Sequence, residues 1–258
     1  MAKLVLITGA STGIGFELCR IFARNGFNVA LVAKNKERLE KAEEKLRAEY
    51  KVETYSFVAD LATAEGPELL YQSVKEAGLR VDVLVNNAGF GFHGLFLETD
   101  LKHELQMMQL NMITPVQLTK LYLKEMKGRG EGKILQVAST AAFQPGPTMA
   151  IYYATKAFLL FFSEAIRDEL RGSGITVTAL CPGATESNFA KSAKMEGTHL
   201  FQRFVMDAAT VAEAGYRGLM AGKSVVIPGF KNKLLAASVR FIPRDLVTVF
   251  SRKAVETA

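Results

Sequence analysis

The chain has 258 residues, of which 49% are hydrophobic and 22% charged, and its net charge is +6. That length and balance suit one large globular α/β domain and exclude a disordered or fibrous chain. From Phe230 to the end, six basic residues stand against two acidic ones and carry +4 of the charge, so the body is near neutral and a nucleic-acid binder is not expected.

Residues 3–8 form an apolar run that reads as a buried strand. It is too short to span a membrane and lacks a signal-peptide cleavage region, so a cytoplasmic location is expected. Cys19 and Cys181 are far apart and have no metal-ligand spacing, which predicts two buried thiols and no metal site. The first strand runs into Thr8-Gly9-Ala10-Ser11-Thr12-Gly13-Ile14-Gly15, and an amphipathic helix follows to about Arg24. Three glycines between a strand and a helix allow a tight turn. The helix start offers free N–H groups and a positive dipole end to a pyrophosphate, so dinucleotide binding is preferred over a plain turn.

Strands follow at 28–33 and 54–58, the latter leading to Asp60-Leu61. Another at 81–85 ends in Asn86-Asn87-Ala88-Gly89. Helices are expected between them at 36–50 and 65–76. Strands alternating with helices at this pitch imply βαβ units, a parallel sheet with helices on both faces, and ligands bound beyond the carboxyl ends of the strands. Gly9, Asp60, Asn87 and Gly89 all fall at such ends.

From Asp100, an expected N-cap, a helical pattern runs to about Lys127 with Asn111 inside it and Pro115 interrupting it. Asn111 reads equally as the holder of an ordered water and as a buried amide satisfying the broken ladder. A strand at 133–137 leads to Ser139, and a helix at 151–170 carries Tyr152 and Lys156 one turn apart. A cation beside a phenol stabilises the phenolate, so the pair is a candidate acid/base with a lowered tyrosine pKa. Tyr153 has Ala157 at the matching offset and gains no such partner. The strand at 176–180 opens into Cys181-Pro182-Gly183-Ala184-Thr185. Residues 186–206, with Phe189, Met195, Leu200, Phe201 and Phe204, are expected to form a mobile lid over an apolar pocket. A helix at 207–221 and a last strand at 224–227 complete the domain.

The glycine turn, Asp60, Asn86-Asn87-Ala88-Gly89, Asn111, Ser139, Tyr152 with Lys156, and Pro182-Gly183 with Thr185 together resemble the short-chain dehydrogenase/reductase family, in order from residue 3 to about 228. The resemblance implies a Rossmann-like, doubly wound, seven-stranded parallel sheet in a single domain (1–229). It also implies hydride transfer between a nicotinamide cofactor and a carbonyl or alcohol. It assigns Tyr152 as acid/base, Lys156 to the nicotinamide ribose and to lowering the Tyr152 pKa, Ser139 to the substrate oxygen and Asn111 to a relay water. Asp60 with Leu61 would meet the adenine, and Gly9, Ser11, Thr12, Gly13, Ile14 and Gly15 the phosphates. Asn87, Ala88 and Gly89 would line the cofactor, with Pro182, Gly183 and Thr185 beside the nicotinamide amide. A nucleotide-sugar epimerase or dehydratase and a non-catalytic dinucleotide-binding regulator are the alternatives. The first needs a larger C-terminal region, and the second typically lacks the Tyr or Lys.

The second strand ends Ala33-Lys34-Asn35-Lys36, with no acid before Glu37 to hydrogen-bond a ribose 2′-hydroxyl. NADP(H) is therefore expected over NAD(H), with Lys34 on the 2′-phosphate and Ser11 assisting, although Thr12 stands where NADP-users of the family often carry a cation. The loop Phe90-Gly91-Phe92-His93-Gly94 and the lid suggest an apolar small-molecule substrate, with His93 a loop residue. Residues 230–258 alternate apolar and basic groups, and Pro243 splits them into two short helices. A core-covering or oligomer-forming arm is preferred there over a membrane-surface helix, since the family usually forms homodimers or homotetramers.

Overall fold

Seven short runs between turn residues become strands, buried through the middle of the sheet and more exposed at its two edges, β3 and β7. The computed structural model describes residues 2–193, 195–203 and 205–256. Phe204 of the expected lid and the last two residues of the arm lie outside that set. β1 (Leu4–Thr8), β2 (Asn28–Ala33), β3 (Thr54–Val58), β4 (Val83–Asn86), β5 (Gly132–Val137), β6 (Ile175–Leu180) and β7 (Val225–Val226) form one all-parallel sheet in the order β3-β2-β1-β4-β5-β6-β7. This is the doubly wound Rossmann-like arrangement expected from the sequence. The order reverses between β1 and β4, which opens a crevice at their carboxyl ends.

Helices α1 (Gly13–Arg24), α2 (Lys36–Glu49), α3 (Gly66–Glu76), α4 (Leu101–Met108), α5 (Thr114–Arg129), α6 (Ala150–Glu169), α7 (Phe189–Ser192), α8 (His199–Arg203) and α9 (Ala208–Met220) connect or flank the strands. The C-terminal pair α10 (Phe230–Ser238) and α11 (Arg244–Val255) follows, divided at Pro243. Side chains alternate across β1, as the pleat requires. Val5 and Ile7 join a core with Leu18 and Phe22 of α1, whereas Leu4 and Leu6 join the opposite core with Leu70 of α3 and Tyr122 of α5.

Three elements depart from expectation. β4 begins at Val83 rather than 81; just before it, the Asp82 N–H donates to the Leu4 carbonyl and the Asp82 carboxylate accepts the Leu4 N–H, each at 2.9 Å, so a side-chain bond reinforces the entry to the strand. β7 is two residues long, a short edge strand. The 100–127 helix is not simply kinked at Pro115. A π-helical turn, Gln109–Ile113, separates α4 from α5, with Pro115 in the first turn of α5. Proline has no N–H, so the Asn111 carbonyl lacks its i+4 donor, and widening the turn is one way to absorb that loss. Asp100 caps α4 as expected, accepting the His103 N–H at 2.9 Å.

Candidate active site

The glycine turn is fixed by the loop after β4. Asn87 Nδ2 donates to the carbonyls of Thr8 (2.8 Å) and Gly9 (3.2 Å), while Thr8 Oγ1 accepts the N–H groups of Asn87 and Ala88, each at 3.0 Å. Gly9 has φ +65°, and a Cβ there would lie 2.9 Å from Asn87 Nδ2. A Cβ on Gly15 would collide with the Gly9 carbonyl. The turn therefore needs glycine for close approach as well as for conformation. The Asn87 amide does more for the turn than the expected cofactor contact suggests. Thr8, not singled out in the sequence, is its partner.

Thr12 is the N-cap of α1 but makes no side-chain cap bond, and the first turn of α1 carries no acid. The first N–H groups and the positive dipole end thus keep their capacity for an anion. At the far edge, Lys34 Nζ lies 2.6 Å from Asp60 Oδ2, and this contact holds the Asp60 carboxyl below its usual range. Asp60 Oδ1 also accepts the Ala62 N–H at 3.1 Å. Lys34, the cation expected on a 2′-phosphate, is thus exposed and ion-paired with Asp60. Arg38, four residues on in α2, faces the same cavity and makes no ion pair among the described residues. Spacing from the second strand did not reveal it, since its placement depends on how α2 leaves β2.

On the other side, α6 buries Tyr152 and Lys156 at the mouth of β5 and β6. Lys156 Nζ donates to the Val137 carbonyl at 2.9 Å and lies 5.8 Å from the Tyr152 ring centroid. An ammonium has three donors, and Val137 is its hydrogen-bond acceptor among the described residues, so capacity remains for ribose hydroxyls. Burial pushes the Tyr152 phenol up, opposed by a hydrogen bond with the Ser139 hydroxyl. Burial likewise brings Lys156 down to about 8. The lowering of Tyr152 expected from the nearby lysine is thus corrected: desolvation dominates both groups and disfavours both charged forms.

Ser139 accepts the Ala141 N–H at 3.1 Å and donates to the Pro182 carbonyl at 3.4 Å, which ties the β5 and β6 ends together. Thr185 Oγ1 donates to the Gly183 carbonyl at 3.0 Å. Asn111 does not line the cavity. It is 1% exposed, its Nδ2 donates to Phe90 O (2.9 Å) and Thr155 Oγ1 (3.2 Å), and its Oδ1 accepts the Phe90 N–H at 3.2 Å. A Cβ on Gly89 would meet that Oδ1 at 2.9 Å.

One cavity of about 960 Å³ joins these parts. Its wall includes Gly9, Ser11, Thr12, Gly13, Ile14, Gly15, Lys34, Asp60, Leu61, Asn87, Ala88, Gly89, Ser139, Tyr152, Lys156, Pro182, Gly183 and Thr185, which is every expected site residue except Asn111. The 186–206 segment is clamped at its base by the Thr185–Met206 bridge, and its Phe189 ring lies 5.2 Å from that of Tyr152. His93 is set back from the cavity. His103 reaches it instead, its ring 4.9 Å from Phe90. The cavity suits a nicotinamide dinucleotide: an uncapped helix start, cations at one end and a buried Tyr–Lys–Ser group at the other.

A family model described as "short chain dehydrogenase" matches residues 3–197. The chain belongs to the short-chain dehydrogenase family. Among its relatives is the human very-long-chain 3-oxoacyl-CoA reductase, 30% identical over 200 residues, which is 75% of this chain and 63% of that protein. The match thus spans less than two thirds of that relative's length. A short-chain dehydrogenase from Sphingobium yanoikuyae, solved in complex with NADPH, superposes with a TM-score of 0.83 at 31% identity over 93% of this chain and 94% of that one. The bulky-bulky ketone specific alcohol dehydrogenase from Comamonas testosteroni gives 0.78 at 30% identity, over 93% and 92% of the two chains. The glycine turn and the Tyr–Lys–Ser group line the same cavity.

Proposed function

We propose that this protein is an NADP(H)-dependent oxidoreductase that interconverts a bulky apolar carbonyl compound and its alcohol, with Tyr152 as acid/base. The observation that carries the reading is the convergence of Tyr152, Ser139 and Lys156 on one cavity with the glycine turn. A non-catalytic dinucleotide binder has no need of that convergence.

The nicotinamide cofactor, when bound, supplies or accepts the hydride. Tyr152, kept protonated at neutral pH by its burial, gives its Oη proton to the carbonyl oxygen as the alcohol forms, and takes it back in the reverse direction. The Ser139 hydroxyl, beside the phenol, orients the same oxygen. Lys156, at about 8, is mainly charged near pH 7 and stabilises the phenolate left behind. Asn111 acts through Phe90 and Thr155, holding the post-β4 loop against α6.

The NADP preference rests on Lys34 and Arg38 at the adenosine end and on the NADPH bound by the Sphingobium relative. Apolar substrate chemistry rests on Phe90, Met149, Phe189, Phe201, Leu235 and Phe250 around the cavity. The bulky ketone and very-long-chain oxoacyl substrates in the relatives' names agree with that lining. The exposed Phe161 on α6 supports the expected homo-oligomer.

Titrating NADPH and NADH into the parent, Lys34→Ala and Arg38→Ala tests the cofactor reading. A charge-assisted contact is worth roughly 1.5–3 kcal/mol, so about ten- to hundredfold preference for NADPH is expected, reduced in both variants. Equal affinity for the two cofactors in the parent would contradict it.

A further inference from the structure

The helix α11 is apolar on two opposite faces. Val247, Ser251 and Val255, spaced by four, are buried against the domain, and Ser251 Oγ accepts from Gln144 Nε2 at 3.5 Å. Leu246, Val249, Phe250 and Lys253 follow the i, i+3, i+4, i+7 pattern on the outside, where the three apolar members are all exposed. A helix packed on a water-soluble domain normally turns a polar face outward. The exposed apolar surface continues through α10 and the turn after it: Phe230 is 81% exposed, Leu235 62% and Phe241 86%. Lys231, Lys233, Arg240, Arg244, Arg252 and Lys253, all exposed, are interspersed with these groups along the chain, and none of the six makes an ion pair among the described residues.

We propose that this outer face of α10–α11 docks on an anionic lipid bilayer, with the protein lying on the surface and its cavity opening toward the lipid. Three observations select that partner. First, apolar groups framed by unpaired basic ones match the two layers of such a surface, acyl boundary and anionic headgroup. Second, a second copy is a poor match, because a two-fold contact would set one basic arm against another. Third, Leu235 and Phe250 belong both to the exposed face and to the cavity wall. An apolar substrate dissolved in lipid could thus pass along one continuous apolar surface to Tyr152. Among the described residues no helix is long and apolar enough to cross a membrane, so the contact is lateral.

The test is flotation of the full-length protein with phosphatidylcholine vesicles, with and without phosphatidylserine, across a salt series. It needs neither cofactor nor substrate, so its failure is distinct from failure of the proposed activity. Binding to the anionic vesicles that falls with salt is expected. Lys231→Ser with Lys233→Ser should weaken it by roughly tenfold or more. Phe230→Ser with Phe241→Ser should abolish it while thermal unfolding and NADPH titration stay at parental values, since neither ring lines the cavity. No flotation with anionic vesicles, or flotation unchanged in both double variants, would overturn the proposal. So would a concentration-dependent dimer that forms without lipid and is lost in the phenylalanine variant, since a second copy would then cover this face.

Discussion

Lys156 shows what a single residue costs and contributes. Its charge is buried without a carboxylate partner, and burial brings its pKa from 10.5 to about 8. The unfolded chain therefore binds more protons between about pH 8 and 10.5, so this group's contribution to stability rises with pH in that window. Below about pH 8 its full penalty is present. Lys156→Met is expected to raise stability near pH 7 by about 1–3 kcal/mol and to weaken cofactor binding. Denaturation curves of parent and variant at pH 7 and above 10 check this: the gap should shrink at high pH, and a less stable variant at pH 7 would refute it. The Tyr–Lys spacing was readable because a helix fixes it covalently. The sign of the tyrosine shift was not, because it is set by burial against segments such as Phe189 that the fold brings together, which outweighs the opposing Ser139 hydrogen bond.

At the scale of elements, the turn between β1 and α1 and the loop after β4 behave as one piece. Thr8 and Asn87 exchange hydrogen bonds across the switch point, and Gly15 lets α1 start against the Gly9 carbonyl. Gly15→Ala should cost about 1–3 kcal/mol by overpacking and displace the helix start that would receive the pyrophosphate. Chemical denaturation together with NADPH titration measures both effects. Parental stability and affinity would show that the turn yields more easily than its geometry implies. The glycines were legible as a turn because their spacing between an apolar run and an amphipathic helix is local. Asn87 read as a cofactor contact because nothing local reveals that its amide is spent on Thr8 and Gly9. Pro115 announced a disturbed helix, but the π turn around Asn111 depends on packing against Phe90 and Thr155.

For the whole molecule, the sheet was legible down to its seven parallel strands because buried strands and amphipathic helices alternate plainly. The cavity was legible on the cofactor side, where its residues sit at strand ends. It was not legible where distant segments converge. Arg38 comes from the first turn of α2, His103 from α4, and Leu235 and Phe250 from an arm far along the chain. Under the proposed function, that same convergence is what would let the cavity take both a dinucleotide and a bulky apolar molecule. The central claim is proton transfer by Tyr152 during NADPH-dependent carbonyl reduction. Its most direct test is the initial rate of NADPH oxidation with a panel of bulky apolar ketones and 3-oxoacyl thioesters, for the parent and Tyr152→Phe. Turnover of at least one carbonyl by the parent, falling by about 10²–10⁴-fold in the variant while NADPH still binds, is the predicted result; variant rates within a factor of about two of the parent would contradict it.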